Sequence, residues 1–217
     1  MKFASENANR GIVTVKAQPQ VYDGYPPLPG VSLKWPNLQT CSDRFAVASA
    51  LLFSPWSAGT AEFDREISAL TASRLCEWYA TVCNVWFSAS PVLQGGLPIP
   101  RGAMRASLVT ERECQVDKGK VSPGSPEREH LSISFSDLAD STTWGANNIR
   151  IASNVEVLCR PIDRRFKAYV YLGLSLLIAE SCGINEIRYS ELNVASELER
   201  VATVRLLESV SMGLSID

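Results

Sequence analysis

Two carboxylates stand close together at the end of one short segment, and carboxylate oxygens are ligands that Mg²⁺ prefers in proteins. Asp137 and Asp140 follow a stretch in which Leu131, Ile133 and Phe135 alternate with serines, the pattern of a strand buried on one face. Such a strand would deliver both carboxylates to its end, where a rigid scaffold can hold a metal for phosphate chemistry. The structural alternative is that Asp137 caps a turn and Asp140 begins an Asx-turn in a hairpin loop.

The segment Ser134–Thr142 resembles the first metal-binding strand of class III nucleotide cyclases, in which an Asp follows an aromatic residue and precedes a Ser/Thr turn. The resemblance implies Mg²⁺ at Asp137 and a nucleotide substrate. That family also needs a second Asp on a later hairpin. The next Asp of this chain, Asp163, stands at the start of a predicted helix, so we do not assign the chain to the family.

Four cations surround the start of that helix, namely Arg160, Arg164, Arg165 and Lys167. The positive end of a helix dipole disfavours cations, so an anionic partner should compensate for them. A bound phosphate would serve, and so would local carboxylates such as Asp163. The structural alternative is a solvated turn with weak intramolecular ion pairs.

Other catalytic chemistry has few residues to draw on. The chain has a single histidine, His130, which leaves almost nothing for zinc binding or for Ser–His and Cys–His catalysis. The six cysteines include no C-x-x-C pair, and the N-terminal residues contain no apolar signal region. We therefore expect reduced thiols, a cytoplasmic location and no cofactor, with Mg²⁺ as the alternative.

Trp144 is the tryptophan that stands out, because it lies in the polar loop Thr142–Asn148. A Trp in such a loop either covers an edge of the core or anchors a protein partner, since Trp is enriched at binding hot spots. The proline-rich stretch Tyr25–Pro29 is interpreted as a rigid connector, with a polyproline ligand as the alternative.

The composition predicts a folded globular protein, with 46% hydrophobic and 20% charged residues. The net charge of −2 gives no indication of nucleic-acid binding or of attraction to an anionic membrane. The apolar run Ala168–Ala179 is too short to span a bilayer, so no membrane partner is predicted. Fifteen Arg against six Lys favour interfaces mildly, because the planar guanidinium suits paired contacts.

Alternating hydrophobicity predicts strands, and helical periodicity predicts helices. Phe45–Phe53 is apolar at both its odd-numbered and its even-numbered positions, which favours a central strand, with a helix as the alternative. The clearest helix has Thr60 as its N-cap and Trp86 on its buried face. The other predicted strands are Ile12–Ala17, Val31–Trp35, Ile99–Val109, Leu131–Ser136, Ile149–Cys159 and Ile184–Tyr189; the helices are Ala61–Ser88, Ala168–Ala179 and Glu191–Ser211, the last with Leu198 facing inward.

The order of these elements predicts an α+β fold: a mixed β-sheet packed with about three helices. Strand, helix, Gly183 and strand form one βαβ unit near the C-terminus. A single globular domain is expected over residues 1–217. The polar stretch Thr110–Glu129 is predicted to be an exposed loop excursion and the most protease-sensitive internal segment.

Two functional hypotheses follow. The first is a non-catalytic interaction or assembly subunit that self-associates or binds a protein partner through Trp144, Arg164 and Arg165. The second is a metal-dependent enzyme acting on a phosphate- or nucleotide-containing substrate, in which Asp137 and Asp140 hold Mg²⁺ and the two arginines clamp phosphate.

The second hypothesis depends on the topology. It needs the loop after Phe135 and the turn at Pro161 to lie at the same end of the sheet. An antiparallel hairpin of Leu131–Ser136 with Ile149–Cys159 would place them at opposite ends, which counts against the enzyme.

Overall fold

The computed structural model describes residues 1–8, 11–93, 99, 102–108 and 130–216. Within these residues, eleven strands form one mixed sheet. The strands are β1 (Lys2–Ala8), β2 (Ile12–Gln18), β3 (Gly30–Lys34), β4 (Gly59–Ser68), β5 (Phe87–Leu93), β6 (Met104–Leu108), β7 (His130–Asp137), β8 (Thr143–Trp144), β9 (Asn148–Ser153), β10 (Ile184–Arg188) and β11 (Gly213–Ser215).

Helices connect several of these strands. The predicted α+β class is confirmed, although the described residues contain five α-helices rather than about three. A π-helical turn, Tyr79–Cys83, directly follows the second helix. The helices are α1 (Ser42–Leu52), α2 (Ala69–Trp78), α3 (Val155–Cys159), α4 (Arg164–Ala179) and α5 (Glu197–Glu208).

The sheet has the strand order β11-β10-β6-β7-β9-β3-β2-β1-β4-β5, and β8 pairs antiparallel with β9. Strands β11, β10, β6, β7 and β9 run parallel to one another, and so do β1, β4 and β5. Antiparallel pairings through β3 and β2 join the two parallel blocks. The predicted βαβ unit is confirmed as β9, α4 and β10.

The helices pack against one another and against the sheet: α1 packs against α4 and β4, while α2 packs against β5 and α5. Burial alternates along the strands, as expected for a sheet covered on one side. In β2, for example, Val13 and Val15 are buried, whereas Thr14 and Lys16 are not. Leu176 of α4 belongs to the core, as the sequence predicts.

The prediction of a central strand at Phe45–Phe53 is wrong, and the alternative, a helix, is correct. Every residue from Asp43 to Leu52 is buried in α1. A helix buried on all sides is apolar at both parities, so periodicity cannot distinguish it from a central strand. Gly173 of α4 permits the close contact with α1, because a Cβ there would lie 2.8 Å from the Ala48 carbonyl oxygen.

The helix predicted over Ala61–Ser88 is wrong in its first part, which forms β4. Phe63 is buried between two partly or fully exposed neighbours, and this two-residue alternation is the strand signal. The helix α2 begins after Ser68 rather than after Thr60. The Ser68 Oγ accepts a hydrogen bond from Thr71 N at 3.2 Å, which is the geometry of an N-cap.

Two further predictions need correction near the C-terminus. The strand predicted over Ile149–Cys159 ends at Ser153, and α3 follows it. Leu198 of α5 is exposed, and the buried face of that helix contains Glu199 instead. The predictions for α4 and β10 are confirmed.

The segment Thr110–Glu129, predicted as an exposed loop, lies outside the described residues. No helix in the described part of the chain is both long and apolar enough to cross a bilayer.

Candidate functional site

Asp137 and Asp140 lie at the turn that follows β7, and both are exposed. Asp137 Oδ1 accepts from Ala139 N at 2.8 Å, and Asp140 N donates to the Asp137 carbonyl oxygen at 2.9 Å. This is an Asx-turn, centred on Asp137. Among the described residues, no group of three or more carboxylate, thiol or imidazole side chains is arranged to hold a metal. The metal site at these two residues stays a prediction.

The pairing of β7 with β9 is parallel, in contrast to the antiparallel hairpin considered above. Asp137 lies opposite Ser153, so both strands end at the same edge of the sheet, and β9 leads from there towards Pro161. The topological objection to the enzyme hypothesis is therefore removed. Even so, within the described ranges no hydrogen bond or ion pair joins Asp137 or Asp140 to either predicted arginine.

Arg165 is engaged inside the protein. Its Nε donates to Glu199 Oε1 at 2.9 Å, and its Nη2 lies 2.9 Å from Glu199 Oε2 and 3.1 Å from the Val82 carbonyl oxygen. Two parallel contacts to one carboxylate make this a strong, directional pair. The side chain of Arg164, by contrast, is exposed, and it forms no hydrogen bond or ion pair with another residue in the described part of the chain.

Trp144 takes the first of the two roles that its loop position suggested, while the second stays a prediction. Its ring centroid lies 4.7 Å from that of Trp35, which is buried, so the indole covers an edge of the core. Thr142 Oγ1 donates to the Lys34 carbonyl oxygen at 2.7 Å and fixes the loop to β3. Trp144 nevertheless remains 56% exposed, which leaves surface for a partner.

Three other aromatic side chains are more exposed than Trp144: Tyr22 at 83%, Tyr25 at 88% and Trp86 at 71%. Tyr22 lies against Gly59, where an added Cβ would be 3.8 Å from the Tyr22 ring. Gly59 N in turn donates to the Trp86 carbonyl oxygen at 3.1 Å, so the Tyr22 ring and the Trp86 backbone adjoin the same glycine. Together with the exposed Val21, these side chains are called the aromatic surface below.

A cleft of about 530 Å³ adjoins the aromatic surface, and Tyr22 contributes to its lining. Its apolar lining comes from distant parts of the chain and includes Trp56, Val85 and Phe166. Asp163 also lines it, and the exposed Arg164 directly follows that residue. One of the arginines selected from the sequence is therefore adjacent in the chain to a lining residue, although it does not line the cleft itself.

Asp23 fixes the segment that carries Tyr22 and Tyr25. Its Oδ1 accepts from Ala58 N at 2.8 Å, and its Oδ2 accepts from Gln20 N at 2.8 Å and pairs with the amino group of Met1. A buried carboxylate with several donors holds a turn in one conformation. The tyrosines are thus displayed from an anchored segment.

The residues of the aromatic surface are not among those that the sequence pattern selects. Trp86 was placed on a buried helical face, whereas it precedes the edge strand β5 and is exposed. Tyr25 begins the stretch Tyr25–Pro29, which the sequence predicts to be a rigid connector, and Tyr22 lies just before it. The criterion that selected Trp144, an aromatic residue in a polar loop, would have selected both tyrosines as well.

The described cysteines are all free thiols. Burial raises the pKa of each of them, to about 12 for Cys83 and for Cys159. They are protonated at neutral pH and offer no thiolate nucleophile.

Comparison with known proteins gives no relative: no family model matches the chain, and neither a curated protein nor a solved structure shows significant similarity to it.

Proposed function

We propose that the protein is a non-catalytic, self-associating interaction subunit of the cytoplasm, and that it docks through the aromatic surface. The observation that carries this proposal is the exposure of Tyr22, Tyr25 and Trp86 beside a cleft of about 530 Å³. Tyr and Trp are enriched in interface cores, and large contiguous apolar patches are rare on monomeric proteins. The free cysteines agree with a reducing compartment.

The shape and charge of this region favour a second copy as the partner. A cleft and exposed aromatic side chains lie side by side, so a twofold axis can place Trp86 or Tyr25 of each copy in the cleft of the other. Asp163 and Arg164 carry opposite charges at the margin, and the same rotation can bring them together across the axis. With a net charge of −2, the copies repel each other only weakly.

Sedimentation velocity over about 1 to 100 µM protein, a range that covers common interface affinities, tests the proposal. We expect the wild type to shift towards a dimer with rising concentration. The double variant Tyr22→Ser/Trp86→Ser should lose about 2 kcal/mol or more of association free energy, as expected for hot-spot aromatics. The control Leu70→Ser/Leu198→Ser removes two exposed leucines elsewhere and should associate like the wild type. A wild type that stays monomeric throughout contradicts the proposal.

Trp144 provides a second test of the interface. We expect Trp144→Ala to weaken self-association by about 2 kcal/mol, because a half-exposed indole is a typical hot-spot residue. An unchanged dissociation constant would assign Trp144 to covering Trp35 and restrict the interface to the aromatic surface.

The alternative proposal is a Mg²⁺-dependent enzyme that acts on a phosphate-bearing substrate, with Asp137 and Asp140 as ligands and Arg164 as a phosphate contact. It draws support from the parallel pairing of β7 and β9. If Mg²⁺ binds the folded state, thermal stability should rise by about 2.7 kcal/mol at a hundredfold excess over Kd, and Asp137→Asn/Asp140→Asn should abolish the gain. Under the preferred proposal, Mg²⁺ and Mn²⁺ change the stability of neither protein.

A further inference from the structure

A second cleft, of about 350 Å³, lies between strands β1, β2 and β4 and the ends of helices α1 and α4. Buried apolar side chains line part of it, namely Val13, Val15, Phe45 and Leu177. Its volume is at the lower end of the range for small-molecule sites. Leu38 adds a partly exposed apolar side chain, and the remaining lining is mostly polar and includes two opposite charges.

Arg65 supplies the positive charge, and its guanidinium is held in place. The group lies 4.8 Å from the ring centroid of Phe45, while its Nη1 donates to the Thr40 carbonyl oxygen at 3.0 Å and its Nη2 to Ser5 Oγ at 2.6 Å. Its Nε lies 3.5 Å from Asp64 Oδ1. The second N–H bond of Nη1 and that of Nη2 make no hydrogen bond to a described residue, which leaves two donors for a ligand carboxylate. A guanidinium fixed in this way is preorganised to bind a carboxylate.

Glu180, at the end of α4, supplies the negative charge. Its Oε2 accepts from Cys41 N at 2.8 Å, and in the described part of the chain it forms no ion pair with a cation. The segment before α1 is also tied to α4 by Thr40 Oγ1, which donates to the Leu177 carbonyl oxygen at 2.7 Å. The carboxylate is therefore fixed in position, with capacity left for a cationic ligand group.

One peptide group sets the spacing of the two charges. The Thr40 carbonyl accepts from Arg65, and the N–H of the same peptide group, that of Cys41, donates to Glu180. Bond lengths across the peptide and these two hydrogen bonds keep Arg65 Nη1 and Glu180 Oε2 within about 8 Å of each other. The carbonyl and the N–H of a trans peptide point in opposite directions, so this peptide group lies on the line between the two charges. A ligand whose carboxylate and amino groups are on one carbon therefore lies beside the peptide, and it uses the remaining N–H bonds of Arg65 and Glu180 Oε1, which accepts no hydrogen bond from a described residue.

We propose that this cleft binds a small zwitterionic ligand of the α-amino-acid type that carries an apolar side chain. Arg65 binds the carboxylate, Glu180 binds the ammonium group, and the side chain packs on Leu38, the partly exposed apolar residue of the lining. Burial raises the pKa of the Cys41 thiol above its ordinary value, so the site binds without a thiolate. No residue of this cleft belongs to the aromatic surface, and the proposal is independent of self-association.

Calorimetric titration of the full chain with L-leucine and L-phenylalanine tests the ligand class. We expect both to bind the wild type. N-acetyl-L-leucine lacks the ammonium charge and L-leucinamide lacks the carboxylate, so each should bind at least tenfold more weakly than L-leucine. Glycine and L-aspartate, which lack an apolar side chain, should be weaker by a similar factor. Equal binding of L-leucine and its two derivatives would overturn the proposal, and so would the absence of binding by all twenty amino acids.

Variants assign the two charges. Glu180→Gln keeps an acceptor for Cys41 N. It should weaken the binding of L-leucine at least tenfold and leave the affinity for N-acetyl-L-leucine unchanged. Arg65→Gln should weaken the binding of L-leucine at least tenfold and leave the affinity for L-leucinamide unchanged. Glu197→Gln on the remote helix α5 is the control, and its affinity should equal that of the wild type. If Arg65→Gln does not fold, Glu180→Gln and the ligand series on the wild type still decide. L-leucine binding that neither variant changes would refute the assignment.

Discussion

Arg165 of α4 and Glu199 of α5 form an ion pair with two contacts of 2.9 Å, and the carboxylate in it is almost fully buried. Glu199 also accepts from the Tyr169 hydroxyl at 2.7 Å and from Ala195 N at 2.8 Å. Burial raises the pKa of Tyr169, so its hydroxyl remains a donor at neutral pH. An arginine that the sequence offered as an external contact is thus part of the packing between two helices.

Glu199→Gln should destabilise the protein by about 1–3 kcal/mol, because it leaves Arg165 without its counter-charge at a largely dry site. Urea unfolding at pH 7 measures the effect. The matched control is Glu197→Gln in the same helix, where the carboxylate is exposed and pairs with Arg200. We expect no measurable change for the control, and equal effects of the two substitutions would contradict the structural role of Glu199.

Local alternation was sufficient to find β2, β3 and β7, because each of these strands buries one face and exposes the other. It failed for α1, which is buried on every side and therefore has no periodicity to detect. It also failed for Ala61–Ser88, where the end of β4 and the start of α2 place apolar residues at spacings that mimic one long helix.

Ser68→Ala tests the boundary between β4 and α2. The substitution removes the N-cap of α2 and should cost about 0.5–2 kcal/mol in urea unfolding. Thr60→Val is the control. Thr60 lies in β4, where valine keeps the favourable β-branched shape but loses the hydrogen bond with Ser88 Oγ at 3.2 Å, so we expect a change of about 0.5 kcal/mol. A larger loss for Thr60→Val than for Ser68→Ala would support a helix beginning at Thr60.

Leu176→Ala and Leu198→Ala separate the core from the surface. Leu176 is fully buried in α4, so its truncation should cost about 2–5 kcal/mol. Leu198 is exposed, and Leu198→Ala should change the free energy of unfolding by less than about 0.5 kcal/mol. Similar losses for both would mean that α5 packs through the face predicted from the sequence.

The candidate sites depend on long-range topology more than on local pattern. Asp137 and Trp144 could be selected from the sequence because each stands next to a recognisable strand. Arg65 and Glu180 could not be paired, because only the packing of α4 on α1 brings the end of α4 to the segment before α1. Local pattern finds single residues, whereas a cleft needs the tertiary fold.

The rate of cysteine alkylation should be lower for the more deeply buried thiols. Cys159 is buried and has a pKa of about 12, mainly through loss of hydration, with Glu156 adding to the effect. The pKa of the less buried Cys76 is raised by the same cause. With iodoacetamide at pH 8, peptide mapping should show Cys76 modified well before Cys159. The less buried thiol has the larger thiolate fraction and is the more accessible to the reagent. Preferred modification of Cys159 would contradict its burial.

The same thiols predict how stability responds to alkaline pH. The pKa of a cysteine in an unfolded chain is about 8.5, whereas that of Cys159 in the folded protein is about 12. A group whose pKa is raised by folding contributes its full stabilisation below the unfolded value, and the contribution is lost as the pH rises towards the folded value. The free energy of unfolding should therefore be level from pH 7 to 8 and fall above pH 9, by up to about 1.4 kcal/mol per pH unit for each such group.

Cys159→Ala removes one of these groups, so urea unfolding between pH 9 and 10 should show a shallower fall for this variant than for the wild type. Stability that rises between pH 8 and 10 would contradict the burial of these thiols.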